Sequence, residues 1–327
     1  MIRVAIDVSP LVQTRAGTAR YLKGLLRELR RRDDVAVSAR SFGRGDRLST
    51  LARDAVWYPF ALGRNRDADV LHCPTYRGPL RPRLPLVVTV HDLAVLRHPD
   101  AFNRWTRTYS PRFVPRVLRA ARRVIAVSEF TRRELVELLD VPEERIRVVP
   151  NAVEPEFTRE GPAADGDYVL AVGTLEPRKN LHRLADAARR TDVELRVVGA
   201  RGWGGIAVGG NGVRWLGEVS DAELARLYRG ARCVAYPSLY EGFGIPVLEA
   251  MACGVPVVTT RGTAMEEVAD GAAVLVDSHD PAEIAAGLER AAAEREQLVE
   301  RGLERARAFR WDAVADATVA VYGEAAE

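Results

Sequence analysis

Two carboxylates, Glu241 and Glu249, stand in the apolar run "YEGFGIPVLEAMACGVPVVTT" (240–260) on either side of a Gly-Phe-Gly-Ile-Pro segment. A hydrophobic core needs no carboxylates, and a surface loop would carry fewer apolar residues. The two glycines let backbone come close to a ligand and aim amides at an anion. Pro246 suits the first turn of a helix and Gly254 its end, so "EGFG" reads as the loop that enters that helix. Glu249 is then expected in the first helical turn, where a carboxylate is favoured. A second pair, Arg178 and Lys179, precedes a helix expected to begin near Asn180, an N-cap residue type. Cations there oppose the helix dipole unless an anion lies between them, and a phosphate would use both charges and dipole. Of 48 basic residues only Lys23 and Lys179 are lysines, so a lysine here hints that a compact point charge is preferred. The plainer readings are a capped helix with an acidic first turn and two solvated cations on a turn.

These residues need elements to position them. The first half alternates strand patterns ("RVAIDVS", "VAVSARSF", "DVLHCP", "LPLVVTVHDL", "RVIAVSEF") with helical ones, such as 19–32 with Leu22, Leu25, Leu26 and Leu29 on one face. Around residue 150 the pattern pauses at "IRVVPNAVEPEFTREGPAADGD", a linker signature. Alternation then restarts with "YVLAVG", a helix at 180–190, "VELRVVG", "VRWLGEV", a helix at 221–230, "CVAYPS", "VPVVTT" and "AAVLVD", and ends in helices. Strands alternating with helices imply parallel sheets covered on both faces. With 327 residues, two domains are expected. The fold class is α/β, two doubly wound Rossmann-like domains facing a central cleft, with residues 1–152 and 153–310 as the domains and a terminal helix 311–327 packing back on the first. Ligands in such folds sit at the carboxyl ends of the strands.

Several chemistries fail by inspection. No apolar run approaches a membrane span, and the N-terminus reads as a first strand rather than a signal peptide. Cys73, Cys233 and Cys253 read as buried free thiols of a cytosolic protein. The net charge of +3 does not argue for nucleic acid. Lys23 precedes Gly and Lys179 precedes Asn, so there is no P-loop; no G-x-S-x-G and no zinc-ligand spacing occur, and no G-x-G-x-x-G follows the first strand. "DAD" (67–69) and "DGD" (165–167) each precede a strand, where polar turn residues are normal, so no metal is expected.

Together these stretches resemble the retaining glycosyltransferases of family four, which have the GT-B fold. The signature is two glutamates separated by seven residues with Gly-Phe-Gly after the first, matched by Glu241 and Glu249. "GTLEPRKN" matches the Arg-Lys phosphate motif, "VTVHDL" the N-domain histidine segment, and "VIAVSEFTRREL" and "VVPNAV" the stretches entering the linker. The resemblance spans nearly the whole chain, in order. It implies that Glu241 holds donor-sugar hydroxyls and supports oxocarbenium-like charge, and that Glu249 binds the ribose. It also implies that Thr174 and the amides of Phe243, Gly244 and Ile245 line the donor, and that Arg178 and Lys179 neutralise the diphosphate. His91 would contact the donor sugar; alone, a His ending an apolar strand is more often structural. The first loop, "TRAGTARY", is expected to face the cleft, with Gly17 allowing close approach; the family's second glycine is Ala19 here. No cofactor is implied, the nucleotide-sugar donor being a substrate. The acceptor would be a hydroxyl of a glycan, a lipid-linked glycan or a small molecule. The phrasing is similar to bacterial polysaccharide mannosyltransferases, which makes GDP-mannose the first donor. The alternatives are a non-catalytic nucleotide-sugar-binding protein and an NAD-dependent nucleotide-sugar dehydrogenase or epimerase.

Residues 101–128 hold seven arginines and no acid. Arg112, Arg116, Arg119 and Arg123 have helical spacing, as do Trp105, Tyr109 and Phe113, although Pro111 and Pro115 are expected to interrupt any single helix. A basic, aromatic-bearing surface can dock on anionic lipid or hold an anionic acceptor; the plainer reading is a solvated helix face. The expected location is cytoplasmic, with peripheral contact at the inner membrane face as a hypothesis.

Overall fold

A computed structural model describes residues 1–13, 17–43, 46–64, 66–102, 104–202 and 212–327. The chain divides into two units, Met1–Ala152 with Arg310–Glu327, and Val153–Phe309.

The first unit holds a six-stranded sheet: β1 (Ile2–Asp7), β2 (Val35–Arg40), β3 (Val70–Cys73), β4 (Leu86–Val90), β5 (Arg123–Ala126) and β6 (Ile146–Val148), in spatial order β2-β1-β3-β4-β5-β6. Every pairing is parallel. β3 and β4 are buried along their whole length, the mark of a sheet covered on both faces. β6 falls inside the stretch whose prolines suggested linker. Three residues are too few to show a periodicity, yet they pair with β5 and bury Ile146.

One face of this sheet is covered by the Gly17–Leu29 helix, whose Tyr21, Leu22, Leu25, Leu26 and Leu29 recur at helical spacing and are buried. The Trp311–Ala326 helix lies against it. Their approach is close at Gly24, where a Cβ would stand 2.4 Å from the Trp311 ring. Tyr322 carries this last helix onto the sheet, its hydroxyl 2.7 Å from His72 Nδ1.

The Arg104–Ala120 helix is continuous through Pro111 and Pro115, contrary to the expected interruption. Ser110, Val114, Val117 and Leu118 on its inner face are buried, and this tertiary packing outweighs the two missing amide donors. The guanidinium groups of Arg112 and Arg116 donate to the carbonyls of Thr108 and Arg112, one turn back.

The second unit repeats the design with β7 (Tyr168–Val172), β8 (Glu194–Val198), β9 (Val213–Gly217), β10 (Cys233–Tyr236), β11 (Val257–Thr260) and β12 (Val274–Val276), in order β12-β11-β10-β7-β8-β9. All its pairings are also parallel. Strand order reverses between β7 and β10 here, and between β1 and β3 in the first unit. Ligands of open α/β sheets bind outside the carboxyl ends of strands at such points. The three cysteines are free and buried.

Candidate active site

In the second unit, the loops leaving β7 and β10 meet at the point of reversal. The amide of Leu239 donates to the Arg178 carbonyl at 2.8 Å, and Arg178 Nη1 to the Tyr240 carbonyl at 3.2 Å. The β7 loop is seated by glycines without room for a side chain. A Cβ on Gly199 would lie 2.0 Å from the Gly173 carbonyl oxygen, and one on Gly202 2.8 Å from Thr174 Cγ2. Gly173 itself has φ +152°, and a Cβ there would press on the Lys179 stem at 3.1 Å.

The structure brings Glu241, Arg178 and Lys179 together. Glu241 Oε1 accepts from Lys179 Nζ at 2.5 Å and from the Tyr236 hydroxyl at 3.1 Å, and Oε2 from Arg178 Nη1 at 2.9 Å. Lys179 also donates to the Tyr236 hydroxyl at 2.6 Å. Arg178 Nε forms an ion pair with Glu176 Oε1 at 2.8 Å. Two part-buried cations and two buried carboxylates thus balance one another in one network. Burial pushes the Glu241 carboxyl up, but Arg178 and Lys179 outweigh it and hold it down at about 2. Burial lowers the Lys179 ammonium, with Glu241 opposing.

This network answers the dipole conflict before the Leu181–Arg190 helix: carboxylates supply the anion. Asn180 does occupy the N-cap position, but with φ 58° and no capping bond from its side chain. Its amide instead donates to the carbonyls of Pro237 and Ser278, tying the β7 loop to the loops after β10 and β12.

Beyond Glu241 the chain turns into the Ile245–Ala252 helix. Gly244 is its N-cap at φ +102°, and a Cβ there would meet Met265 Cγ at 2.8 Å, so conformation and space both demand glycine. The amides that open a helix have no intrahelical partner, which leaves those of Gly244 and Ile245 suited to an anion; Phe243 lies one residue before the N-cap. The Phe243 side chain points elsewhere, packing edge-on against Phe309 at 5.9 Å. Glu249 is not in the first turn as expected; the helix starts at Ile245, and its first turn holds no acid. The dipole therefore does little for Glu249. It is buried and accepts from the Tyr228 hydroxyl at 2.9 Å.

His91 and Gly17 belong to the first unit. His91 follows β4 and lines a cavity of about 180 Å³ with Pro10, Thr18, Tyr58, Thr75, Arg77 and Asp92, off the ends of β1, β3 and β4. Its Nε2 lies 3.0 Å from the Pro74 carbonyl, an acceptor only, so Nε2 carries the proton and Nδ1 a lone pair. Burial lowers its pKa to about 4, leaving the ring neutral at physiological pH. Gly17 opens its helix and is exposed; residues 14–16 of the "TRAGTARY" loop lie outside the described residues. Among the described residues no group of three or more His, Cys, Asp or Glu could hold a metal ion.

Sequence reasoning did not single out Tyr236, Glu176 or Tyr228. Tyr236 was within reach: it ends a strand five residues before Glu241. Tyr228 gave no signal, because it sits in a helix with ordinary periodicity.

Residues 15–157 match the family described as Glycosyltransferase Family 4, and residues 153–308 that described as Glycosyl transferases group 1. O-antigen chain mannosyltransferase B of Escherichia coli is 30% identical over 347 residues, covering 97% of this chain and 87% of that protein. A D-inositol 3-phosphate glycosyltransferase of Geodermatophilus obscurus is 32% identical over 279 residues, covering 75% of this chain and 62% of its own. Among solved structures, sucrose-phosphate synthase from Thermosynechococcus elongatus superposes with a TM-score of 0.79 at 19% identity over 99% of this chain and 98% of its own, which shows a shared GT-B fold. Matches that run through both units, and a relative aligned along nearly the whole chain, make this protein a member of glycosyltransferase family 4.

Proposed function

We propose that the protein transfers a hexosyl group, with retention, from a nucleoside-diphosphate sugar held by its second unit to a hydroxyl of a glycan, lipid-linked or small-molecule acceptor. The observation that carries this is the Arg178–Lys179–Glu241 cluster at the strand-order reversal, next to the glycine-bearing start of a helix. The cluster is electrically balanced by itself. An arriving diphosphate takes the two cations and the opening amides of the Ile245–Ala252 helix, and Glu241 is released to accept from sugar hydroxyls. Glu249 takes the ribose.

In the transfer step the bond from the anomeric carbon to the leaving phosphate oxygen breaks, and its electron pair stays on that oxygen. Arg178 and Lys179 stabilise the charge. The acceptor oxygen bonds to the anomeric carbon on the same face, and its proton passes to the leaving phosphate. His91 offers its Nδ1 lone pair to a substrate hydroxyl, and the cavity it lines is the proposed acceptor-side subsite. GDP-mannose is the first donor to try, supported by the mannosyltransferase name of the Escherichia coli relative.

A thermal-shift panel of UDP, GDP, ADP and dTDP with their sugars tests the donor, because a ligand that binds only the folded state raises its melting temperature. A selective shift with GDP and GDP-mannose is expected. A selective shift with another base would replace the donor, and none with any would remove the donor site. Glu241→Gln should lower turnover at least ~100-fold with unchanged circular dichroism; turnover at the wild-type rate would remove Glu241 from the mechanism.

A further inference from the structure

The first unit carries an apolar surface that the proposed chemistry does not use. In the Arg47–Ala52 helix, Leu48 is 80% and Leu51 46% exposed. In the π-helical segment that follows, Arg53–Ala61, Val56 and Phe60 stand one turn apart and are each 58% exposed. Trp105, 44% exposed, joins them from the Arg104–Ala120 helix, because its Nε1 donates to Asp54 Oδ2 at 3.0 Å. Single exposed apolar side chains need no explanation; five on adjoining turns do.

The exposed charge on the Arg104–Ala120 helix is cationic, while the nearest outward acids, Asp46 and Asp100, are engaged by the Ser49 amide and by Arg107. Arg112, Arg116 and Arg119 are exposed, and at 100° per residue they fall on the same side of their helix as Trp105, opposite buried Val114 and Val117. Residues 47–64 and 104–123 contain a single carboxylate, Asp54, and it is fully buried beside Arg77 and Trp105. No acid of these segments therefore faces outward among the arginines. Apolar side chains at one end of a cationic stripe form a surface that enters a headgroup layer while its arginines meet anionic headgroups.

We infer that this face of the first unit docks on an anionic lipid bilayer, with Leu48, Val56, Phe60 and Trp105 entering the interface and the Arg112–Arg116–Arg119 stripe lying along it. No helix among the described residues is long and apolar enough to cross a membrane, so the contact is peripheral. This inference is independent of the donor reading and stands or falls without it.

The test is flotation of the intact protein with phosphatidylcholine vesicles, with and without phosphatidylglycerol. Flotation is expected only with the anionic lipid, weakened as salt rises. Replacing Arg112, Arg116 and Arg119 together by Gln should lower the partition coefficient on the order of 100-fold. Val56→Ser with Phe60→Ser should lower it about 10-fold or more. All five positions are partly or fully exposed, so melting temperatures should stay near wild type; should a variant fail to fold, the lipid and salt arms on the wild type still decide. No flotation, or equal flotation with phosphatidylcholine alone, overturns the inference. So does wild-type affinity of the Val56→Ser, Phe60→Ser variant combined with equal binding to duplex DNA, which would mark a plain polyanion surface.

Discussion

Glu241 holds Arg178 and Lys179 together in the site without ligand, beyond the part proposed for it when donor is bound. It is itself buried and the shared partner of two largely buried cations, so Glu241→Gln should cost up to about 3 kcal/mol of stability without ligand, the scale of breaking a buried pair from one side. A nucleoside diphosphate supplies the missing negative charge. The rise in melting temperature on adding it should therefore be larger for Glu241→Gln than for wild type, even though the variant's turnover collapses. An equal or smaller rise would mean that the phosphates do not reach Arg178 and Lys179. In wild type the Glu241 carboxyl is depressed to about 2, so its contribution is complete above its ordinary range near 4.5 and is lost as pH falls from there through 2. At this scale the sequence was legible in residue type and spacing: a carboxylate, two cations and a glycine-bearing loop. The partners were less so. Tyr236 reaches Glu241 because β10 delivers it, and Tyr228 reaches Glu249 across a helix pair that no local pattern announces.

Elements in this chain are held at points where small residues or buried polar groups face each other. Gly24→Ala would drive a Cβ into the Trp311 ring and should destabilise by about 1–3 kcal/mol. Gly323→Ala, in the Trp311–Ala326 helix with open space at its Cβ, should be neutral or stabilising by up to about 1 kcal/mol. Urea midpoints of the two variants separate packing from propensity, and equal effects would mean the close helix approach is absent. His72 ties β3 to the last helix through Tyr322 and to β4 through Thr89. Burial lowers its pKa from 6.5 to about 3. The unfolded chain then binds the proton first, so stability falls as pH drops from 6.5 towards 3, by about 1.4 kcal/mol per unit. Asp7 works the other way: burial raises it to about 6, so its contribution is complete below about 3.8 and is lost as pH rises through 6. His72→Gln should flatten the acid limb measured between pH 6.5 and 4.5, and an unchanged limb would exonerate His72. Strands and helices with clear periodicity were legible in the sequence. Elements whose existence depends on tertiary contacts were not: three-residue β6 shows no period, and the Arg104–Ala120 helix overrides two prolines by burying its inner face.

At the scale of the molecule, two parallel sheets each reverse strand order once, and each reversal carries a set of polar side chains: Glu241, Arg178 and Lys179 in one, His91, Asp92 and Arg77 in the other. The alternation of strand and helix was enough to read this architecture, because each βαβ step repeats the same local pattern. The choice of donor base was not legible, since no motif names the side chains that meet the base.

The Trp311–Ala326 helix completes a core whose other residues lie before Ala152. On a ribosome this inverts the usual sequence of events. Val153–Phe309 has all its parts in one uninterrupted stretch, whereas the unit of residues 1–152 waits for residues 310–327 to emerge, with Val4, Ile6 and Leu25 incompletely covered in the meantime. A chain ended at residue 309 should lose 1–152 to limited proteolysis and keep 153–309. The amino-terminal half is in this sense the late-maturing half, and the one that most needs a chaperone while the rest is made.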